Sequence, residues 1–136
     1  MRVRLALFSV VVCLCLSANA SAQDAVKTDP KHYSVISEND QVRILKVHYG
    51  PHEKSIMHSH PNLAVVFLTD SKGTFTYPDG KKEDWASKPG QAMFAPAGTH
   101  LPENTSDAPM DLILVELKGH AAEAEMKSEM KSEMKK

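Results

Sequence analysis

The chain has 136 residues, with 16 Lys and Arg against 17 Asp and Glu, and a formal charge of −1. As a prior, that length means one domain. No basic stripe gathers the cations, which argues against a nucleic-acid footprint.

The sequence opens Met-Arg-Val-Arg, continues with the apolar run Leu5 to Leu16, and passes into the small residues Ser17 to Ala22. A basic start, an apolar stretch of roughly 7–15 residues and an Ala-x-Ala exit are the marks of an export signal. The run falls short of the about 20 apolar residues that cross a bilayer. Residues 1–22 are therefore expected to be a cleaved signal peptide, ending at Ala18-Asn19-Ala20 or Ala20-Ser21-Ala22. The mature chain then begins at Ser21 or Gln23, is periplasmic or secreted, and has no stable membrane span. Removal takes Arg2, Arg4 and no acid, so the formal charge moves from −1 to −3. Cys13 and Cys15, the only two cysteines, leave with it. The mature chain must fold without a disulfide.

Residues 23–32 are polar, carry Pro30 and read as a short leader. Short apolar runs separated by turn residues follow. Val42–Tyr49 reads as a strand, and Leu63–Thr69, apolar on both faces, as a strand buried in a barrel wall. Thr74–Tyr77 and Lys82–Trp85 flank Pro78-Asp79-Gly80 and read as a hairpin. Gln91–Ala95 and Asp111–Leu117 complete the set. Many short strands without helical segments between them predict an all-β sandwich or barrel over residues 31–118. Phe67, Phe75, Trp85 and Phe94 read as core or wall residues, whereas Tyr77 and Met93 are pocket candidates. Gly50, Gly73, Gly90 and Gly98 read as turning points of the chain. Beyond residue 118 the composition changes. Met-Lys-Ser-Glu at 126–129 repeats at 130–133, and the period of four puts Met126, Met130 and Met134 on one helical stripe. Residues 119–136 therefore read as a solvated tail of helical pattern, with a partner-binding helix as the sharper alternative.

The segment with most chemical content is Gly50 to Pro61, containing His58-Ser59-His60. Alternate residues of a strand share a face, so two imidazoles so placed can take adjacent positions around one ion. Histidine suits Zn, Cu, Fe or Ni, so the pair alone does not select a metal. A second segment, Gly90 to Asn104, carries Pro96, Gly98 and His100. In a closed barrel, strands distant in sequence face one interior, which lets His100 reach the first pair.

In order and spacing these segments resemble the two sequence motifs of the cupin superfamily. Gly50, His58, His60 and Gly73 take the places of the first motif, and Gly90, Pro96, Gly98, His100 and Asn104 those of the second. The resemblance implies a single-domain cupin-type double-stranded β-helix, a jelly-roll barrel. It also implies a divalent metal ion (Fe, Mn, Ni or Zn) held by His58, His60 and His100, with Asn104 as a structural hydrogen-bonding residue. The chain departs from the pattern twice. The family's Glu ligand falls at Val65, or at Ala64 with the shorter spacer. Only Thr99 separates Gly98 from His100, where two residues are usual. Glu103 is a candidate replacement ligand if its loop folds inward; His48, His52 and Glu53 are weaker ones. Three neutral imidazoles would leave the full positive charge on a divalent ion, making it a stronger Lewis acid that favours an anionic ligand. Two functions remain open. One is a metal-dependent oxygenase, isomerase or lyase on a small anionic molecule. The other is a non-catalytic cupin of the cell envelope that captures a metal or small molecule. A homodimer is compatible with either.

Overall fold

The computed structural model describes residues 23–119. The signal segment and the methionine stripe of the tail lie outside them. A four-residue helix, α1 (Ala25–Thr28), precedes nine strands: β1 (Tyr33–Glu38), β2 (Val42–Tyr49), β3 (His58–His60), β4 (Leu63–Phe67), β5 (Ser71–Thr76), β6 (Lys82–Ser87), β7 (Ala92–Ala95), β8 (Gly98–Asn104) and β9 (Met110–Leu117). They form a five-stranded sheet in the order β1-β2-β9-β4-β7 and a four-stranded sheet in the order β3-β8-β5-β6. Every strand pairing is antiparallel. The arrangement is the all-β jelly roll expected from the sequence. None of the described helices is long and apolar enough to cross a membrane.

Alternation along the strands decides what faces the interior. In β2, Leu45, Val47 and Tyr49 are buried while Lys46 and His48 are exposed. In β4, Leu63, Val65 and Phe67 point inward, and in β9 Met110, Leu112, Leu114 and Glu116 do so. Glu116 is thus the charged member of an otherwise apolar row. The predicted strand Val42–Tyr49 is observed with those bounds, and the Pro78-Asp79-Gly80 turn does join two paired strands.

Four features differ from the sequence reading. Residues 23–32 do not run free as a leader. Asp24 caps α1 by accepting the Lys27 amide (3.1 Å), and Ala25, Asp29 and His32 are buried against the barrel. Their polarity hid this, because what they bury is charged rather than apolar. β1 escaped notice because it is an edge strand with a register shift between Val35 and Ser37, and five of its six residues are exposed. Phe94, read as a wall residue, is 62% exposed on the edge strand β7. Gly73, read as a turn, lies inside β5, where an added Cβ would stand 2.6 Å from the Glu103 carbonyl oxygen and 2.7 Å from the Trp85 ring. A true turn glycine is Gly90, with φ of +82°.

Gly73→Ala should therefore destabilise the barrel by about 1–3 kcal/mol, the usual cost of forcing an extra methyl into packed structure. Denaturant unfolding checks this, with the exposed, unobstructed Gly119→Ala as the neutral comparison.

Candidate metal centre

His58 and His60 both face the interior from β3, with Ser59 turned away to meet Thr99 (Oγ to Oγ1, 2.6 Å). β3 lies antiparallel to β8, and the register sets His58 directly opposite His100. The three predicted ligands therefore converge: one ring nitrogen from each lies within 4.8 Å of the other two. The His100 ring is held by stacking on Phe75 at 4.5 Å.

The rear nitrogens are committed. His58 Nδ1–H donates to the Ile56 carbonyl (2.7 Å), and His60 Nδ1–H donates to Glu116 Oε1 (2.6 Å). Neither acceptor carries a proton to give back, so both rings turn Nε2 forward, as a lone pair where the ring is neutral and as N–H where it is protonated. Those two Nε2 atoms face each other at 3.1 Å. A proton or a metal ion can bridge that approach, and the set of three converging imidazole nitrogens suits a divalent ion of borderline softness.

Burial, with His60 as charged neighbour, pushes the His58 pKa down to about 4 against the opposing Ile56 hydrogen bond. Burial, with His60 and His58 as neighbours, pushes His100 down to about 3. Both rings are thus neutral and ready to ligate at physiological pH.

Glu103 does not replace the missing carboxylate. It is three residues from His100 in a strand, hence on the opposite face, where it lies 3.8 Å from Lys54. His48 is outward on β2 beside Asp111 (2.9 Å), and His52 is exposed beside Asp107 (2.7 Å). Glu53 sits between Lys31 (2.5 Å) and His32 (3.1 Å), and its carboxyl is lowered to about 2, chiefly by Lys31. Parity resolves the two readings of the family's Glu position: Val65 is buried and lines the cavity, whereas Ala64 is on the other face. Asn104 takes the structural role expected. It is fully buried, donates to the Gly50 and Ala108 carbonyls, and accepts from Ser106.

The residue missed by sequence reading is Glu116. It is 1% exposed and grips His60 with one oxygen and Arg43 with the other (2.6 Å each). A signal was available, since an acid at an inward position of a buried strand requires a partner.

His60 and His100 open onto a cavity of about 510 Å³ with a mostly apolar lining that includes Val65, Phe67, Leu112 and Leu114. Tyr77 and Met93 also line it. Tyr33 and Tyr49 contribute a buried pair of hydroxyls 2.8 Å apart. Burial raises both phenols above their ordinary value, so they remain protonated.

The cupin domain profile Cupin_2 matches residues 45–116. Among solved structures, the chain is similar to a cupin domain from Bordetella pertussis Tohama I, at 22% identity and TM-score 0.60, covering 64% of this chain and 92% of that one. It is similar to a conserved protein with a double-stranded β-helix domain from Klebsiella pneumoniae, at 21% identity and TM-score 0.53, covering 65% and 77%. A Bacillus halodurans protein shows 18% identity and TM-score 0.52, covering 65% and 71%. At these identities the likeness establishes the fold. No curated protein matches the chain.

The lowered histidines fix a pH dependence. Unfolded, each binds its proton near pH 6.5; folded, His58 does so near 4 and His100 near 3. Between those values the unfolded chain holds more protons, so stability falls as pH falls below about 6.5. Metal-stripped protein should lose melting temperature steadily from pH 6.5 to 5, and His100→Asn should flatten that slope. Thermal scans at constant ionic strength measure both.

Proposed function

The chain belongs to the Cupin_2 family of cupin domains, and on that footing we propose that it binds one divalent metal ion through His58, His60 and His100. The ion would be presented to a small molecule in the cavity. The observation that carries this reading is the 3.1 Å approach of two Nε2 atoms whose rear nitrogens are already spoken for. A bound ion would supply Lewis acidity toward an oxygen of that molecule. The apolar lining takes the molecule's hydrocarbon part and excludes water. The Tyr33–Tyr49 pair can offer a hydroxyl proton to an oxygen beside the centre. Among the described residues no Lys or Arg lines the cavity, so a ligand's anionic group would find its countercharge at the ion. The substrate class is thus a small molecule with one anionic or oxygen-bearing end and an apolar body, as for an oxygenase or isomerase.

A second reading, a non-catalytic cupin that captures a metal or ligand, is favoured by one feature. The two tyrosines beside the centre are raised by burial, stay protonated and bond to each other, so neither is poised as a base. The two readings separate on whether a bound molecule is released unchanged after incubation of the metal-loaded protein with oxygen.

Elemental analysis after anaerobic loading with Fe(II), Mn(II), Ni(II) or Zn(II) should find one ion per chain. His58→Ala should weaken uptake by more than about 100-fold, beyond the range for outer-sphere partners. Val65→Glu places a carboxylate on the cavity wall and should raise affinity, since an anionic oxygen would replace water on the ion. Unchanged affinity for all four ions in a folded Val65→Glu protein would remove Val65 from the site. Absence of metal from wild type would end the metal reading.

We also propose that the protein is exported, on the strength of Arg2, Arg4, the apolar run and the Ala-x-Ala series. Mass spectrometry of an envelope fraction should then find a chain beginning at Ser21 or Gln23. An intact Met1 start would refute export.

A further inference from the structure

One short stretch of chain backs both ligands of β3. Ser59, between the two histidines, donates its amide to the Gln23 carbonyl (2.8 Å), so the N-terminal segment covers the free edge of the ligand strand. Two side-chain arms then reach from this segment toward the rings. In the first, Asp24 holds the Arg43 guanidinium, Arg43 Nε donates to Glu116 Oε2 (2.6 Å), and Glu116 Oε1 accepts the His60 Nδ1 proton (2.6 Å). In the second, Asp29 Oδ2 accepts from Ser55 Oγ (2.5 Å), and Ser55 Oγ lies 3.3 Å from His58 Nδ1. His32 braces the same Asp29 oxygen at 2.7 Å.

On the metal-binding reading above, we infer that residues 23–29 are the outer half of the metal site, with Asp24, Arg43 and Glu116 acting as positioning residues for His60. Three neutral imidazoles give an ion no negative charge, and Val65 stands where the family has its carboxylate. Glu116 brings a carboxylate one hydrogen bond further out. A carboxylate behind a ligating histidine fixes its ring and strengthens its donor nitrogen. Arg43 alone would cancel that charge, but Asp24 shares the guanidinium, so the three groups together carry one net negative charge. Glu116 gives one oxygen to the histidine and the other to the arginine. This split couples a helix-capping aspartate to a metal ligand.

The test is metal titration of the full chain, stripped with chelator and reloaded with Zn(II) or Co(II). It compares wild type, Asp24→Asn, Glu116→Gln and the double variant, with melting temperatures of the stripped proteins alongside. Asn caps a helix as well as Asp, so Asp24→Asn keeps α1 capped through Oδ1 and removes the carboxylate oxygen that accepts from Arg43. Glu116→Gln should weaken binding by about 10–100-fold and shift the Co(II) visible spectrum. Asp24→Asn should weaken binding several-fold without lowering the stripped protein's melting temperature. The double variant should bind no more weakly than Glu116→Gln, because the effect of Asp24 passes through Glu116. Asp107→Asn, at a side chain paired among the described residues with exposed His52, should bind as wild type. Asp24→Asn binding as tightly as wild type, or losses that add in the double variant, would overturn the inference while leaving the metal reading intact. A wild type that takes up no metal would overturn both. Asp24→Asn decides the matter even where Glu116→Gln fails to fold.

Discussion

Two ring nitrogens 3.1 Å apart, with their rear nitrogens both committed, need a proton or a metal ion between them. The surrounding fold enforces that encounter. Strand alternation brings His58 and His60 to one face of β3, and the β3–β8 register brings His100 opposite. The Ile56 carbonyl and the Glu116 carboxylate hold the rear protons, so neither ring can flip its tautomer without breaking a buried hydrogen bond. The cavity beyond supplies little polar relief. Mostly apolar walls surround it, and its nearest hydroxyls, Tyr33 and Tyr49, bond to each other. Three imidazole nitrogens within 4.8 Å of one another are thereby preorganised to share a cation.

A barrel with no cysteine outside its first 22 residues must be held by its apolar rows, yet it buries several charged groups. Asp29 is 5% exposed, and Glu116 is nearly inaccessible. Burial works against the Asp29 carboxylate, but hydrogen bonds from Ser55 and His32 outweigh it and keep it below its usual range. Buried ion pairs of this kind seldom add net stability over apolar residues of similar size. They do specify geometry, because removing one partner leaves the other charged and unpaired. That both buried arms end behind a histidine of the three-imidazole cluster accounts for their position better than stability does.

Legibility in the sequence followed the type of signal each element left. β2 could be read residue by residue, since Leu45, Val47 and Tyr49 alternate with polar neighbours. The hairpin announced itself through Pro78-Asp79-Gly80, and the histidine set through the resemblance of its two segments to the cupin motifs. β1 left no trace, because an exposed, bulged edge strand has no apolar period to detect. The N-terminal segment looked like a solvated leader because its buried groups are polar, and polar burial has no periodicity. Glu116 was hidden differently. It stands in a row read correctly as a strand, but its partners Arg43 and His60 are 73 and 56 residues away. Only a register can disclose such a pairing.

The same register shows where this chain places a carboxylate, with Val65 standing at the position of the family's own. Val65 pairs with Leu114 across β4 and β9, one inward step from the pair Leu63–Glu116. The acid therefore lies one row further along the neighbouring strand, close enough to serve a ligand from behind. Moving charge from the first sphere to the second has a chemical consequence. A carboxylate on the ion would occupy a coordination position and neutralise part of the charge; behind His60 it tempers the charge while leaving that position open. In its place the cavity gains an apolar wall. Were an ion held by the three histidines, a molecule entering there would meet hydrocarbon along its length and an unblocked ion at its end, an arrangement suited to a ligand whose single polar group coordinates directly.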